Sequence, residues 1–304
     1  MTICLEANIV GILHKMQVSL PPTGTIPEYY LVLDHKPQIL LNTIIGKVVS
    51  LEFSGVIKCI YCQRKTKNSY SQGYCYVCAQ KLARCDLCIV NPKNCRYHLG
   101  TCREPEWGEE HCFTSHIVYL ANSSGIKVGI ARKSNLPTRW IDQGAIQGLA
   151  IISTKSRYQA GLIEAVLAKK ISDKTAWRKM LAFDVKPIDL IAASFQLLND
   201  CRREIQEIKD QFSNDSIEIL ANLSSKDVVS IQYPIDPKFY EELQQSNSKV
   251  NVTSLNISKI IQSSKIISDQ LLAIKGQYLI FSKGVINIRN LTGYEIIFNY
   301  PLGC

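Results

Sequence analysis

The sequence predicts an α+β protein in which a cysteine-rich module and a mixed α/β domain lie between two β-rich ends. Three observations predict this class. Residues near the N-terminus alternate as strands do, nine of the twelve cysteines lie between Cys59 and Cys112, and the middle of the chain combines short strands with helices. We expect a β-rich segment over residues 1–57 and the cysteine-rich module over 58–115. The mixed α/β domain is expected over 116–213 and a second β-rich segment over 214–304.

Length and composition place the chain among globular proteins. Hydrophobic residues make up 46% of its 304 residues and charged residues 20%, which excludes wholesale disorder. No run of uncharged apolar residues is long enough for a membrane-spanning helix. The first residues, MTICLEANIV, contain a glutamate too early for a secretory leader. We therefore expect a cytoplasmic protein with no membrane partner.

Both ends of the chain carry strand and turn patterns. In GKVVSLEFSGV, one side of a strand carries Val49, Leu51 and Phe53, and PPTGTIP and DHKP are turn signals. Near the C-terminus, LLAIKGQYLIFSKGVINIRNLTGYEIIF predicts a meander of three or four strands, with turns at 282–284 and 291–293. The two β-rich ends are therefore candidates for one small β-barrel.

The middle domain begins with two short strands, HIVYLA and IKVGIA, joined by a turn at 122–125. A short helix over 138–143, a strand LAIIST and a helix RYQAGLIEAVLAKK are predicted to follow. Pro187 suits the first turn of a longer helix. Apolar residues recur along that helix at intervals of three and four, and we expect them to pack on the core: Ile188, Ile191, Phe195, Leu198, Ile205, Ile208 and Phe212.

Two CxxC pairs are the strongest local signal in the chain. Twelve residues separate the pair Cys59 and Cys62 from the pair Cys75 and Cys78. Each CxxC bends the backbone so that two sulfur atoms point to one place, and two such pairs supply the four thiolates of a tetrahedral Zn²⁺ site. A closed site of this kind leaves no open coordination position, so we expect the ion to be structural.

Further candidate ligands follow the first four: Cys85, Cys88, Cys95, His98, Cys102, His111 and Cys112. This number exceeds what one ion needs, so we expect a second structural zinc. Cys85 and Cys88 are expected to form half of that site. The other half is open between Cys95 with His98 and a selection from His98, Cys102, His111 and Cys112.

Basic residues are concentrated in the middle of the chain. The formal net charge of the whole chain is +9. Residues 116–182 contain eleven lysines and arginines but only three acidic residues, Asp142, Glu164 and Asp173, which gives a local net charge of +8. Such an excess predicts an anionic partner, with nucleic acid first, although a solvated basic face has the same composition.

The passage HIVYLANSSGIKVGIARKSNLPTRW resembles the GIY-YIG nuclease superfamily. The matching features are Tyr119 in IVYLA, Gly129 in KVGIA, Arg139 ten residues later and Glu164 in AGLIEAVL. The resemblance covers a minor part of the chain. It implies a small mixed sheet flanked by helices, DNA or RNA as the partner, and metal-dependent phosphodiester hydrolysis.

This resemblance implies roles for individual side chains. Arg139 is expected to clamp the phosphate, Glu164 to hold Mg²⁺ or Mn²⁺, and Tyr119 to position or deprotonate the attacking water. Contacts that follow the nucleic-acid backbone are expected from four basic residues: Lys127, Arg132, Lys133 and Arg157.

The chain departs from the superfamily pattern at the groups that handle protons. Val128 stands where tyrosine is common, and Ile117 stands in place of the first glycine. No histidine follows Arg139 closely, and Gln143 lies near the position where one is often found. This pattern fits an altered reaction or a domain that binds nucleic acid without cutting it. An interaction scaffold with no nucleic-acid role is the third alternative.

The whole chain further resembles an uncharacterised bacterial family, domain of unknown function 2797. The strings TCREPEWGEEHC, HIVYLANSSGIKVGI, PTRWIDQGA and IKGQYLIF carry this resemblance, which implies no established activity. The function expected from the sequence is a zinc-stabilised nucleic-acid-binding protein with metal-dependent phosphodiester hydrolysis in its GIY-YIG-like domain.

Overall fold

A computed structural model describes residues 6–171, 176–181, 183–213, 215–245 and 266–302. The chain divides into two compact units. Unit 1 comprises Met1–Ala79 and Gln232–Cys304, and unit 2 comprises Gln80–Ile231. The two ends of the chain thus belong to the same unit.

The described residues contain helices and strands in similar amounts. The strands are β1 Glu6–Ile12, β2 Gln17–Ser19, β3 Glu28–Leu33, β4 Lys36–Leu40, β5 Val48–Ile57, β6 His116–Asn122, β7 Ile126–Arg132, β8 Gln147–Thr154, β9 Ile217–Ile219, β10 Val229–Ser230, β11 Ile266–Lys275, β12 Tyr278–Phe281, β13 Gly284–Asn287 and β14 Tyr294–Pro301. The α-helices are α1 Tyr76–Lys81, α2 Leu87–Val90, α3 Pro105–Cys112, α4 Thr138–Asp142, α5 Arg157–Leu167, α6 Trp177–Leu181, α7 Leu190–Asp200, α8 Arg202–Lys209 and α9 Pro237–Gln245. No described helix has both the length and the apolar character needed to cross a membrane.

Unit 1 is built on a six-stranded antiparallel sheet in the order β1-β14-β5-β11-β12-β13. The first strand pairs with the last one along its whole length, from Glu6 opposite Pro301 to Ile12 opposite Glu295. Val49 and Leu51 of β5 are buried while Val48 is 62% exposed, as the predicted alternation requires. The prediction that the β-rich ends combine is confirmed, but in the described residues the sheet stays open, and the expected barrel is wrong.

A smaller antiparallel sheet in unit 1 has the order β2-β3-β4. The predicted DHKP turn forms the hairpin between β3 and β4. Its two central residues, Asp34 and His35, have positive φ values of 48° and 64°. Two successive residues of positive φ match the right-handed twist of the flanking strands, and aspartate tolerates this backbone better than most residues.

Unit 2 is built on an antiparallel sheet in the order β10-β8-β6-β7, with β9 also paired to β8. The hairpin β6–β7 and its turn at 122–125 are as predicted, and so are α4, β8 and α5. Every residue of β6 is buried, because β6 is flanked by β7 and β8 and covered by helices. Helix α5 begins at a capping box in which Ser156 and Gln159 bind each other's backbone N–H groups, and its apolar face packs on β6 and β7.

The long helix predicted after Pro187 is two helices, α7 and α8, which meet at Cys201. The first begins at Leu190 because the Asp189 side chain accepts hydrogen bonds from the backbone of Ile191 and Ala192. The face of α7 that reaches the core carries Leu190, Ser194 and Leu197, which is offset from the predicted stripe. Ile205 and Ile208 are buried as expected, whereas Phe195 is 55% exposed.

The last predicted segment, 214–304, is less uniform than expected. Strands β9 and β10 belong to the sheet of unit 2, and α9 interrupts the β-rich pattern. The polar link predicted around 244–252 lies largely outside the described residues. The C-terminal meander is confirmed as β11 to β14.

Candidate functional site

Four cysteines of unit 1 converge from two short turns. Cys59 follows the end of β5, where the Cys59 N–H donates to the Arg64 carbonyl and the Gln63 N–H donates back to the Cys59 carbonyl. Cys75 and Cys78 lie at the start of α1, and the Cys78 N–H donates to the Cys75 sulfur. Each CxxC thus forms a compact turn that directs its two sulfur atoms to the same side.

The four sulfur atoms of Cys59, Cys62, Cys75 and Cys78 all lie within 4.8 Å of one another. The Cys62 and Cys75 sulfurs are 3.8 Å apart. A tetrahedral zinc with Zn–S bonds of about 2.3 Å places its sulfurs about 3.8 Å apart, so the four thiols fit Zn²⁺. We call them the Cys59 cluster.

Backbone groups favour the thiolate of Cys59, whereas burial and the neighbouring thiols raise the pKa of Cys78. Burial raises the pKa of the Cys59 thiol, but backbone hydrogen bonds at Cys62, Cys75 and Tyr61 outweigh it and lower the pKa to about 7. Metal binding requires the deprotonated sulfur, so these hydrogen bonds lower the cost of forming a ligand.

The later candidate ligands are less compact. In the part of the chain that the structure describes, the Cys59 cluster is the one group of three or more possible ligands within 4.8 Å of one another. Cys85, Cys88, Cys95, His98, Cys102 and Cys112, in which a second zinc was expected, therefore do not form a closed site in this structure. They also belong to unit 2, whereas the Cys59 cluster belongs to unit 1, so the predicted module 58–115 is divided.

Arg139 and Glu164 meet at a cavity of about 540 Å³ in unit 2, which we call the Arg139 cavity. Arg139 comes from α4 and Glu164 from α5, and the two side chains line the same space although 25 residues separate them. Both residues are partly exposed. The geometry therefore brings a guanidinium and a carboxylate together without sealing them in the core.

The charged side chains that line the Arg139 cavity are mostly basic. They are Lys93, Arg139, Arg157 and Lys169, with Glu164 as the acidic member. Arg157 lies beneath the wall formed by residues 89–93, where one of its Nη atoms donates to the Ile89 carbonyl. Its Nε is buried and has no hydrogen-bond partner among the described residues. A cavity with mostly basic walls attracts an anion. The Arg157 Nε–H is in addition a hydrogen-bond donor that has no acceptor among the described residues.

Tyr119 is near these groups but does not line the cavity. Its side chain is fully buried, and its hydroxyl donates to the Gln143 Oε1 atom at 3.0 Å. Burial raises the pKa of the Tyr119 hydroxyl, although the charge of Arg139 opposes this. A buried, protonated phenol does not deprotonate water, so the expected role of Tyr119 as base does not fit. Gln143, which does line the cavity, is the group that Tyr119 positions.

Gly129 of β7 has to be a glycine because the Tyr119 ring of β6 lies against it. Gly129 lies opposite Tyr119 in the β6–β7 register. A Cβ atom at Gly129 would be 2.6 Å from the Tyr119 hydroxyl oxygen and 2.7 Å from its Cζ. The ring occupies the space above the glycine, which gives a physical reason for this pair of residues.

Gly129→Ala should therefore lower the free energy of unfolding by about 1–3 kcal/mol, because the buried Tyr119 ring has no solvent to move into. Urea unfolding followed by tryptophan fluorescence measures the change, since all three tryptophans, Trp107, Trp140 and Trp177, lie in unit 2. Gly108→Ala on α3 is the matched control in the same unit, because its Cβ would come no closer than 3.5 Å to any neighbour. Equal unfolding midpoints for Gly129→Ala and the wild type would contradict the proposed packing.

The four basic residues expected to follow a nucleic-acid backbone have different environments. Lys127 is only 4% exposed and lies on β7 beside the turn of the β6–β7 hairpin, so its side chain is not a surface group in this structure. Lys133 is exposed and Arg132 is half-buried, but neither lines the Arg139 cavity. Arg157 lines it.

Two lysines of the cavity were absent from the sequence-based set. Lys93 lies in the cysteine-rich stretch, and no sequence signal connected it with Arg139. Lys169 follows the end of α5, five residues after Glu164, a spacing that does not put the two residues on one helix face, so no sequence signal identified it either.

Comparison with known proteins identifies a family for the chain but assigns it no activity. No curated protein and no solved structure matches the chain. A family model matches residues 46–296, which include the Cys59 cluster, the hairpin β6–β7 and the Arg139 cavity. The chain therefore belongs to the family described as Protein of unknown function (DUF2797).

Proposed function

We propose that this protein binds nucleic acid at the Arg139 cavity and hydrolyses a phosphodiester there. The observation that carries the proposal is the meeting of Arg139, Arg157 and Glu164 in one partly open cavity with basic walls. Guanidinium groups bind phosphate oxygens with paired hydrogen bonds, and a nearby carboxylate is a hard ligand for Mg²⁺ or Mn²⁺. The resemblance to GIY-YIG nucleases supports the same reaction.

Each residue of the cavity has a chemical role in this proposal. Arg139 and Arg157 hold the phosphate and neutralise the charge that develops on it, and Lys93 and Lys169 bind the flanking phosphates. Gln143, positioned by Tyr119, orients the attacking water. Glu164 would hold a divalent ion, which would supply positive charge at the phosphate and lower the pKa of a bound water.

The proposal includes zinc as a structural component. The Cys59 cluster holds one Zn²⁺, which stabilises the turns between β5 and α1. We propose in addition a second Zn²⁺ among the cysteines that follow, because their number exceeds what one ion needs.

A binding protein without nuclease activity is the second candidate. It is favoured by one observation: no histidine lines the Arg139 cavity within the described residues, and the tyrosine nearest to it is buried. Binding without cutting needs only the guanidinium groups and lysines. A cleavage assay with single-stranded and duplex DNA and RNA, each with Mg²⁺ or Mn²⁺, separates the two candidates.

Arg139→Ala should weaken nucleic-acid binding and lower its dependence on salt. Loss of one phosphate contact should reduce the slope of log affinity against log salt concentration by about 1. Fluorescence anisotropy with a labelled oligonucleotide at several salt concentrations measures both quantities.

The control for this variant is Arg203→Ala on α8. Arg203 is exposed, pairs with Glu207 of the same helix and does not line the cavity, so its replacement removes one charge from the chain without touching the cavity. Equal salt slopes for Arg139→Ala and the wild type would show that Arg139 contacts no phosphate.

A further inference from the structure

The turns that carry the Cys59 cluster also carry exposed aromatic side chains. Tyr76 lies between Cys75 and Cys78 and is 60% exposed, and Tyr70, on the preceding turn, is 38% exposed. The two ring centroids are 5.6 Å apart, and the angle between the ring planes is 70°. Val77, next to Tyr76, is exposed as well. Exposed tyrosines that lie together are typical of binding surfaces, because the ring is apolar while the hydroxyl stays in water.

Backbone hydrogen bonds hold the loops that present these rings. The Tyr70 N–H donates to the Tyr74 carbonyl, and the Tyr74 N–H donates to the Tyr70 carbonyl. The Ile60 N–H donates to the Gly73 carbonyl, which joins the first CxxC turn to the loop before the second. An ordered backbone at the rings reduces the conformational entropy that is lost when a partner binds.

The same stretch carries positive charge on its surface. Residues 58–79 contain four basic residues, Lys58, Arg64, Lys65 and Lys67, and no acidic residue. Lys58 pairs with Glu295 at 3.6 Å, and the other three are exposed. A zinc ion with four thiolates would carry a net charge of about −2. Its cysteines are buried or half-buried, however, so the exposed charges of this stretch are the basic ones.

We infer that this surface binds single-stranded nucleic acid, with bases stacked on Tyr70 and Tyr76 and phosphates bound by Arg64 and Lys65. We call the exposed side chains of residues 61–77 the Tyr76 surface. The inference shares with the proposed function only the class of partner, since the Tyr76 surface belongs to unit 1 and the Arg139 cavity to unit 2.

The angle between the rings favours a single strand over a duplex. Two bases that stack on rings 70° apart cannot also be stacked on each other. A single strand can separate its bases in this way, whereas bases in a duplex stay parallel and paired. Stacking on tyrosine is available to every base, so we expect little dependence on nucleotide sequence.

The rings also favour nucleic acid over an acidic segment of a protein. Carboxylates of an acidic peptide would pair with Arg64 and Lys65 but would leave the exposed faces of Tyr70 and Tyr76 in water. A nucleic-acid strand uses both kinds of side chain, because its bases and its phosphates alternate along the chain.

Oligonucleotide binding by the full-length protein tests the role of the rings. Tyr76→Ala should weaken binding of a labelled single strand by at least about 5-fold, as measured by fluorescence anisotropy, and should change binding of a duplex of the same length less. Tyr76→Phe keeps the ring and should bind as the wild type does. Tyr240→Ala on α9 is the matched control, because Tyr240 is also an exposed tyrosine of unit 1 but lies outside the Tyr76 surface.

Salt dependence and competition test the role of the cations. Lys65→Ala should reduce the slope of log affinity against log salt concentration by about 0.7, the value for one phosphate contact of a single strand. Lys238→Ala on α9 is the control, since it removes an exposed lysine of unit 1 elsewhere and should leave the slope unchanged. Displacement of the oligonucleotide by polyglutamate at equal charge concentration would make an acidic protein the better partner and overturn the inference.

Two further measurements keep the test valid if Tyr76→Ala disturbs the zinc ligands beside it. Tyr70→Ala changes a residue outside both CxxC pairs, and it should show the same loss of affinity at unchanged zinc content. Ultraviolet cross-linking of a thymine-rich single strand to the wild type, followed by mass spectrometry, should label Tyr70 or Tyr76 and not Tyr240. Cross-links found only at other residues would overturn the assignment.

Failure of this inference and failure of the proposed function give different results. Single-strand binding that is unchanged in both Tyr70→Ala and Tyr76→Ala, alone and combined with Arg139→Ala, would overturn the Tyr76 surface and leave the Arg139 cavity standing. Wild-type affinity in Arg139→Ala together with weaker binding in Tyr76→Ala would contradict the Arg139 cavity and support the Tyr76 surface. A wild-type protein that binds no oligonucleotide would overturn both.

Discussion

Replacing Cys75 with serine should remove one zinc ion and lower the free energy of unfolding by several kcal/mol. The reason is that the Cys59 cluster is buried among short turns with little core of their own, so metal binding stands in for core packing. Structural zinc contributes about 10–16 kcal/mol in small zinc-binding peptides, and a whole domain is stable by only about 5–15 kcal/mol. Zinc analysis and urea unfolding followed by far-UV circular dichroism measure the two effects.

Lys67→Ser is the control for this variant, because Lys67 is exposed between the two CxxC pairs and carries no thiol. Its zinc content and unfolding midpoint should stay close to those of the wild type. Treatment of the wild type with a strong chelator should reproduce the loss of stability seen in Cys75→Ser. A Cys75→Ser protein with full zinc content and an unchanged midpoint would refute a structural metal at this cluster.

Glu164→Gln should abolish metal-dependent cleavage and leave nucleic-acid binding intact. The amide keeps the size of the side chain but is a poor ligand for Mg²⁺ or Mn²⁺, and loss of the charge stabilisation at the phosphate should slow cleavage by about 10²–10³-fold. Binding should become slightly tighter, because the substitution removes the acidic member of the Arg139 cavity. Single-turnover cleavage and fluorescence anisotropy, both with the same labelled oligonucleotide, measure the rate and the affinity.

Glu207→Gln on the exposed face of α8 is the matched control, since it makes the same chemical change away from the cavity. It should cut and bind as the wild type does. If Glu164→Gln cuts at the wild-type rate, Glu164 is not the metal ligand. If the wild-type protein cuts neither DNA nor RNA with either ion, the non-catalytic binding protein is the better description.

Short-range patterns predicted much of the fold. The alternation around Val49 and Leu51 predicted β5, and the turn at 122–125 predicted the β6–β7 hairpin, because both depend on residues that are neighbours in the chain. The same is true of the Cys59 cluster, whose two CxxC turns are local structures. The break at Cys201 was missed because periodicity continues across it, whereas the helix ends there.

The candidate site was predicted only in part. Arg139 and Glu164 were identified by their order in a resemblance, and the structure places both at one cavity. Lys127 was expected to contact a nucleic-acid backbone as one of the basic residues of the middle domain, but its side chain is buried in the structure. Tyr119 was assigned to catalysis, but a central strand leaves its ring no path to solvent.

What the sequence determined by itself is therefore local: strands and turns, the basic character of the middle of the chain, and the four cysteines spaced to bind one metal ion. Only the tertiary structure decided that the two ends of the chain share a sheet and that residues 89–93 form a wall over Arg157. The physical reason is that local patterns act through neighbouring residues, whereas these contacts join residues far apart in the chain and depend on how whole elements pack.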